Sequence, residues 1–98
     1  MVAYVIADAE IIDRALGEQY RKLAQESIAK YGGRYIVRGG TVAPVEGDWK
    51  PPLFVIVEFP NMGRAHAWYR SPEYAEAPKL RQTVLRRRLI FVEGLAPA

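Results

Sequence analysis

The chain has 98 residues, of which half are hydrophobic and 26% are charged, a balance typical of one globular domain rather than of a disordered or membrane-spanning chain. It contains no cysteine, which excludes disulfides and thiolate chemistry and is compatible with a reducing cytoplasm. The net charge of +3 is small, and basic and acidic residues are interspersed, so we expect neither a nucleic-acid nor a membrane partner.

The first predicted strand runs from Ala3 to Ile11, where apolar side chains recur with a period of two. Strand-like sequence directly after Met1 leaves no room for a secretory signal, so a cytoplasmic protein is expected. Asp13 is the predicted N-cap of a helix that continues to about Tyr31, and Gly32-Gly33 ends it. This helix carries a broad apolar stripe for packing on a sheet. The stripe consists of Leu16, Tyr20, Leu23, Ala24, Ile28 and Tyr31.

Two further strands are predicted in the middle of the chain. Arg34 to Arg38 is the second strand, and Gly39-Gly40 breaks or bulges it before Thr41 to Val45, a short arm that could continue the pairing. Leu53 to Phe59 is a central strand that Pro60 stops, because proline has no N–H to give to the ladder.

The second helical segment begins at Asn61, whose side chain is the predicted cap. Its apolar side chains recur at three- and four-residue steps and are Met62, Ala65, Trp68 and Tyr69. Ser71-Pro72 repeats the start signal and predicts a kink followed by a second short helix, which Arg81 to Arg87 would complete. Leu89 to Val92 is the last predicted strand.

This order of elements predicts one α+β domain over residues 1 to 98, with a split βαβ layout. Right-handed crossovers would place both helices on one face of a four-stranded antiparallel sheet, here named the helix face. The opposite, outer face would also be apolar, and a second subunit is its simplest cover, so we expect a homodimer through the sheet faces. The alternation places Val5, Val55, Val57, Ile90 and Val92 on the helix face and Tyr4, Ile6, Ile36, Phe54, Ile56, Leu89 and Phe91 on the outer face.

Six segments of the chain form a recognisable combination. They are YVIAD at 4–8, YGGRYIVRGG at 31–40, EGDW at 46–49, EFPN at 58–61, AWYRSPEY at 67–74 and VEG at 92–94. Together they resemble one bacterial family over essentially the whole chain, the family named domain of unknown function 1330 (DUF1330). The resemblance implies a ferredoxin-like βαββαβ subunit of the dimeric α/β-barrel superfamily, whose members include cofactor-independent monooxygenases, muconolactone isomerases and haem-binding enzymes. It implies no particular activity, and we expect no cofactor.

Four charged residues fall on the predicted outer face, each near the end of a strand: Asp8, Arg38, Glu58 and Glu93. Charged groups on a face that becomes buried must pair or shift their pKa, and near a cavity they are candidates for acid–base work. Arg38 could hold a carboxylate while Glu58 moves a proton, so these two are the candidate catalytic residues. The alternative is an arginine–carboxylate network that sets the register between subunits.

Aromatic side chains supply most of the candidate ligand-binding residues. Trp68, Tyr69 and Tyr74 could wall a small apolar pocket, with Tyr4 and Asp8 as further candidates, or they could belong to the core.

Other conspicuous residues have simpler interpretations. Trp49 could cover a pocket mouth or contact the partner subunit. His66, the only histidine, is interpreted as a partly exposed helix residue, and the spacing predicts no metal site. The Arg86 to Arg88 run is interpreted as a solvated strand end, and the glycine pairs lack a phosphate-loop pattern.

Two functions of different class follow from these residues. The first is a small-molecule enzyme, an isomerase or oxygenase by analogy with the superfamily, with Arg38 and Glu58 in a pocket that takes a small organic molecule such as an anion. The second is a non-catalytic dimer that binds a small ligand or another protein through its cleft.

Overall fold

A computed structural model describes residues 1–74 and 85–95 of the chain. It confirms the predicted α+β architecture, a four-stranded antiparallel sheet with helices packed on one face. The elements are β1 (Ala3–Ile11), α1 (Arg14–Lys30), β2 (Arg34–Arg38), β3 (Leu53–Phe59), α2 (Met62–Tyr69) and β4 (Leu85–Glu93). The sheet order is β2-β3-β1-β4, which is the ferredoxin-like order with β3 and β1 in the centre.

The helices begin at the predicted caps. The Asp13 side chain accepts a hydrogen bond at 3.1 Å from the N–H three residues on, and Asn61 does the same at 2.8 Å. Gly32 follows α1 with a φ of +83°, a conformation that glycine adopts without a steric penalty. The Ser71 side chain accepts from the Tyr74 N–H at 3.1 Å, so the second start signal is confirmed by helical backbone at 72–74.

Strand β4 is longer than predicted, and the predicted helix over Arg81 to Arg87 is wrong at 85–87. Residues 81–84 lie outside the described part of the chain. The nine residues of β1 pair with β4 over its whole length, with Glu10 opposite Arg86 and Ile11 opposite Leu85. Backbone groups at the far end of β1 are therefore satisfied by extending the ladder.

The two faces of β4 are the reverse of those predicted. Directly opposed residues of antiparallel strands share a face, and Phe91 lies opposite Val5, which is 3% exposed in the core. Phe91 and Leu89 therefore pack on the helix face, whereas Ile90 and Val92 are exposed on the outer face. By the same register, Glu93 lies opposite Ala3 on the helix face, so its predicted position is wrong as well.

Strand β2 contains a bulge that changes which way its last residues point. The register skips one residue between Tyr35 and Val37, leaving Ile36 without an opposite partner. Arg38 consequently lies opposite Val55 on the helix face, and its predicted outer position is wrong by one residue. Residues 40–52 form neither helix nor strand, so the predicted pairing of the arm is also wrong.

The core lies between the helix face and the two helices. Within residues 1–74 and 85–95, neither helix has the combination of length and hydropathy needed to span a bilayer. The buried core cluster comprises Val5, Tyr20, Ala24, Ile28, Val57, Phe59, Ala65, Trp68 and Tyr74.

Candidate functional site

A cavity of about 560 Å³ lies between α1 and the helix face of the sheet. Its size falls within the range of roughly 300 to 1,000 Å³ that is typical of small-ligand sites. One row of the sheet crosses it, in which the register aligns Arg38, Val55, Ala7 and Leu89 from the four strands. The small side chains of Ala7 and Ala9 on β1 leave space that larger residues would fill.

Arg87 lines this cavity and is held between two tyrosine hydroxyls. Its Nη1 donates to the Oη of Tyr20 at 2.5 Å, and its Nη2 donates to the Oη of Tyr74 at 3.0 Å. The two phenol oxygens are 2.8 Å apart and hydrogen-bonded to each other. Burial opposes the charge on Arg87, but the neighbouring phenols of Tyr20 and Tyr74 more than offset it, and the pKa of Arg87 is raised. Like other arginine side chains, it carries its positive charge throughout the physiological pH range.

The positive charge of Arg87 has no acidic partner among the described residues. None of the ion pairs within residues 1–74 and 85–95 includes it, and its Nε is buried there without a hydrogen-bond partner. A buried charge or donor of this kind is costly unless it is paired. An anion entering the cavity would supply a partner of opposite charge.

Arg38 lines the same cavity from the opposite edge of the sheet. Its Nη1 donates to Gln25 Oε1 at 2.9 Å, and its guanidinium lies 4.6 Å from the centre of the Tyr35 ring. Glu58 lies on the outer face instead, where its Oε1 accepts from Arg34 Nε at 3.2 Å. The predicted pairing of Arg38 with Glu58 is therefore wrong, because the bulge puts the two residues on opposite faces. Their catalytic roles stay predictions.

Asp8 and Tyr4 lie on the outer face, as predicted, and away from the cavity. The Oδ2 of Asp8 accepts from Arg88 Nη2 at 2.6 Å and from Trp49 Nε1 at 3.1 Å. These bonds, with that of Arg88 first, hold the pKa of Asp8 below its usual value. Trp49 also packs edge-on against Phe54, with ring centres 5.8 Å apart. Its loop thus covers part of the outer face within one chain.

The predicted aromatic wall is divided between core and surface. Trp68 lines the cavity but is 2% exposed, and its Nε1 donates to Ser27 Oγ at 2.9 Å. Tyr74 is fully buried against Trp68, with ring centres 4.4 Å apart, and reaches the cavity through its bond to Arg87. Tyr69 is 39% exposed and does not belong to the described lining. The three rings are in contact, since the centre of Tyr69 lies 6.0 Å from that of Trp68 and 5.8 Å from that of Tyr74, but Tyr69 stays outside the cavity wall.

Sequence reasoning missed Arg87 because the arginine run was interpreted as solvated. Arg86 and Arg88 are exposed, whereas Arg87 between them turns inward. The available signal was the alternation itself, since three consecutive strand residues cannot all point to one face. His66 is exposed on α2, and its ring contacts Phe91 with centres 4.9 Å apart. In the described part of the chain, no three acidic or histidine side chains gather closely enough to hold a metal ion.

Solved structures of other proteins share this fold. A protein of unknown function from Rhodopseudomonas palustris is 20% identical, with a TM-score of 0.79 over 98% of this chain and 84% of that one. A dimeric ferredoxin-like protein of unknown function from Thermobifida fusca is 15% identical, with a TM-score of 0.64 and coverages of 95% and 91%. SnoaB, a cofactor-independent oxygenase from Streptomyces nogalater, is 9% identical, with a TM-score of 0.63 and coverages of 98% and 94%. At these identities the likeness shows the fold alone.

Comparisons of sequence point to one family. No curated protein matches the chain. The model of a family described as domain of unknown function (DUF1330) matches residues 2–95, nearly the whole chain. The structures above are consistent with the ferredoxin-like fold that the resemblance implied. The protein belongs to the DUF1330 family.

Proposed function

We propose that the protein binds a small organic anion in the cavity between α1 and the sheet. The observation that carries this function is Arg87, a guanidinium whose hydrogen bonds in the described structure go to two neutral phenols. A carboxylate or enolate would pair with this charge through charge-assisted hydrogen bonds. The apolar side chains of Val55 and Leu89 would contact the body of the ligand.

The expected contribution of Arg87 to binding is large enough to measure. A hydrogen bond to a charged group contributes about 1.5 to 3 kcal/mol, so its loss should weaken binding on the order of 10- to 100-fold. Removing an arginine that lies outside the cavity should have no such effect. Arg86 provides that comparison, because it is the neighbouring residue on β4 and is exposed on the other face.

The test uses a tryptophan that already lines the cavity. The chain has two tryptophans, so Trp49→Phe leaves Trp68 as the reporter, and quenching of its fluorescence can be followed while benzoate and cinnamate are titrated. We expect Arg87→Met to weaken binding and Arg86→Met to leave it unchanged. Isothermal calorimetry on the unsubstituted chain checks that the Trp49 change is silent. Equal affinities for the two arginine variants would contradict the proposal.

We also propose that the bound anion undergoes cofactor-independent isomerase or oxygenase chemistry. The donors of Arg87, Tyr20 and Tyr74 would stabilise negative charge that develops on an enolate oxygen. The shared fold of a cofactor-independent oxygenase, SnoaB, supports the same class of reaction. Arg38 lines the cavity and stays a candidate for holding the substrate, whereas Glu58 would act only at a site on the outer face.

A non-catalytic ligand-binding protein is the alternative. Exchange of deuterium at the carbon next to the carbonyl of a bound keto acid distinguishes the two, because it requires proton abstraction within the site. Binding without exchange or turnover would favour the non-catalytic protein.

We propose further that the protein is a homodimer formed through the outer face. Ile90 and Val92 are 56% and 39% exposed there, and a relative of the same fold is named as dimeric. Sedimentation at micromolar concentration should give a dimer, and Ile90→Lys should dissociate it. Ile12→Lys, which changes an exposed side chain in the turn before α1, is the control. A stable native monomer would contradict the proposal.

A further inference from the structure

We infer that the ligand of this cavity is an elongated organic dianion, with one anionic group at each end of an apolar body. The inference rests on the proposed function, since it concerns the same cavity and names the class of ligand. It follows from the charge of the cavity lining, the positions of two arginines and the character of the side chains between them.

The described lining carries more positive than negative charge. Its charged members are four arginines and two glutamates: Arg14, Arg21, Arg38, Arg87, Glu10 and Glu18. The one ion pair within this set joins Glu18 and Arg21 at 4.0 Å, with side chains 74% and 58% exposed, so each charge is largely screened by water. The lining thus has two more arginines than acids, which matches a ligand with two negative charges.

The two arginines with ordered neutral partners lie at opposite ends of the cavity. Arg38 is on β2 and Arg87 on β4, the two edge strands, with β3 and β1 between them. Neighbouring strands are about 4.8 Å apart, so the two backbones are separated by roughly 14 Å. Their partners on α1, Gln25 and Tyr20, are five residues apart, which is about 7.5 Å along the helix.

These separations favour two anionic groups over one shared carboxylate. Hydrogen bonds to a carboxylate require heavy atoms within about 3.2 Å, and each guanidinium is held at its own edge by a neighbour. Arg38 stacks on Tyr35 of its own strand, and Arg87 is tied to Tyr74. Two anionic groups several ångströms apart would satisfy both arginines, whereas a single one would leave one of them unmatched.

The space between the two arginines suits an apolar linker. The sheet row that starts at Arg38 continues through Val55, Ala7 and Leu89, all on the helix face and all in the cavity wall. None of these three side chains offers a hydrogen bond. A hydrocarbon or aromatic body between the two anionic groups would therefore be desolvated at little cost.

The experiment compares biphenyl-4,4′-dicarboxylate with biphenyl-4-carboxylate, which share one rigid body and differ by one charge. Calorimetric titration of the native chain should show at least a tenfold preference for the dianion. Arg38→Gln should abolish that preference and leave the affinity for the monoanion within about twofold, whereas Arg87→Gln should weaken both ligands. Arg34→Gln removes the same charge from the outer face of the same strand, and it should preserve the preference.

The outcomes separate the two proposals. If both probes bind equally and depend on Arg87, or if the preference survives Arg38→Gln, the dianion inference is overturned while the proposed anion site stands. If neither probe binds, or if Arg87→Gln changes nothing, the anion site itself is overturned. Loss of the preference in Arg34→Gln would show that general charge attraction, rather than Arg38, selects the dianion, and would also overturn the inference.

Discussion

The two faces of the sheet hold arginine in opposite ways. On the outer face, Arg34 and Arg88 each pair with an acid of a neighbouring strand, at 3.2 and 2.6 Å. On the helix face, Arg38 and Arg87 donate to an amide and to phenols instead. Neutral partners orient a guanidinium without cancelling its charge. The comparison teaches that, among the described residues, two arginines of the outer face are paired with acids of neighbouring strands, whereas Arg38 and Arg87 of the helix face are not.

The largest expected difference between the faces is in the stability lost when a hydrophobic side chain is truncated. Phe59 is fully buried on the helix face and stacks near Trp68, with ring centres 5.5 Å apart, so Phe59→Ala should cost about 3 to 5 kcal/mol. Ile90 is 56% exposed on the outer face, and Ile90→Ala should cost about 1 kcal/mol or less in the monomer. Urea unfolding at matched association state measures both. Comparable losses would mean that the outer face is packed within one chain.

A smaller difference in stability is expected when each of the two tryptophans loses the hydrogen bond of its indole N–H. Ser27 is 2% exposed, accepts from Trp68 Nε1 and donates to the Ala24 carbonyl at 2.9 Å. Ser27→Ala leaves the buried indole N–H unpaired and should cost about 1 to 3 kcal/mol. Trp49→Phe removes the exposed indole bond to Asp8 and should cost about 0.5 kcal/mol. Thermal unfolding of both variants measures the two losses of stability. Equal losses would argue against the burial of the bond between Trp68 and Ser27.

The position of Glu58 on the outer face predicts a still smaller effect, a coupling energy with Arg34 but not with Arg38. Arg34 and Glu58 should couple by about 0.2 to 1 kcal/mol in a double-mutant cycle, because the pair is partly exposed. Arg38 and Glu58 should not couple, since the sheet separates them. Denaturant unfolding of the single and double alanine variants gives both values. Coupling between Arg38 and Glu58 would show that β2 adopts the register without the bulge.

The smallest effect is expected at Glu73, which belongs to neither face. Its carboxylate accepts from Lys30 Nζ at 2.5 Å and from Tyr31 Oη at 2.9 Å. The bond from Lys30, followed by a backbone bond and that from Tyr31, lowers the pKa of Glu73 from 4.5 to about 2. Since the folded pKa is depressed, the stabilisation is complete above pH 4.5 and is lost as the pH falls towards 2.

Glu73→Gln should therefore flatten the dependence of stability on pH in this window, and the variant should be less stable than the native chain above it, where the native carboxylate is charged. Urea unfolding at several pH values between 2 and 7 measures the slope. The effect is small because the pair is exposed to water and screened by salt. A variant with the native slope would show that the Lys30–Glu73 bond does not persist in solution.

The elements of this fold were predictable because their signals are local. Asp13, Asn61 and Ser71 each cap the helical segment that the sequence places after them, and Pro60 ends β3 as expected. The direction of side chains in β4 was not predictable, because Leu89 to Val92 is apolar at every position. Whichever two alternate residues point to the helix face, two hydrophobic side chains are buried there. Only the register with β1 decides between the two.

The candidate site was less predictable than the fold. Trp68 and Tyr74 were identified as part of an aromatic helical stripe, but their partner Arg87 depends on contacts that join distant parts of the chain, since it lies 67 positions from Tyr20. Arg38 was identified for its charge and placed on the wrong face, because no glycine or proline marks the bulge before it.

The bulge in β2 has a consequence for chains that differ in length. Ile36 is the residue that the ladder skips, so a chain without it would have regular alternation and would still turn Arg38 towards the cavity. One residue added elsewhere in this edge strand, without a second bulge, would turn Arg38 outwards. An added residue would therefore remove Arg38 from the cavity wall without any change of amino-acid type, whereas a one-residue gap at Ile36 would leave the direction of Arg38 unchanged.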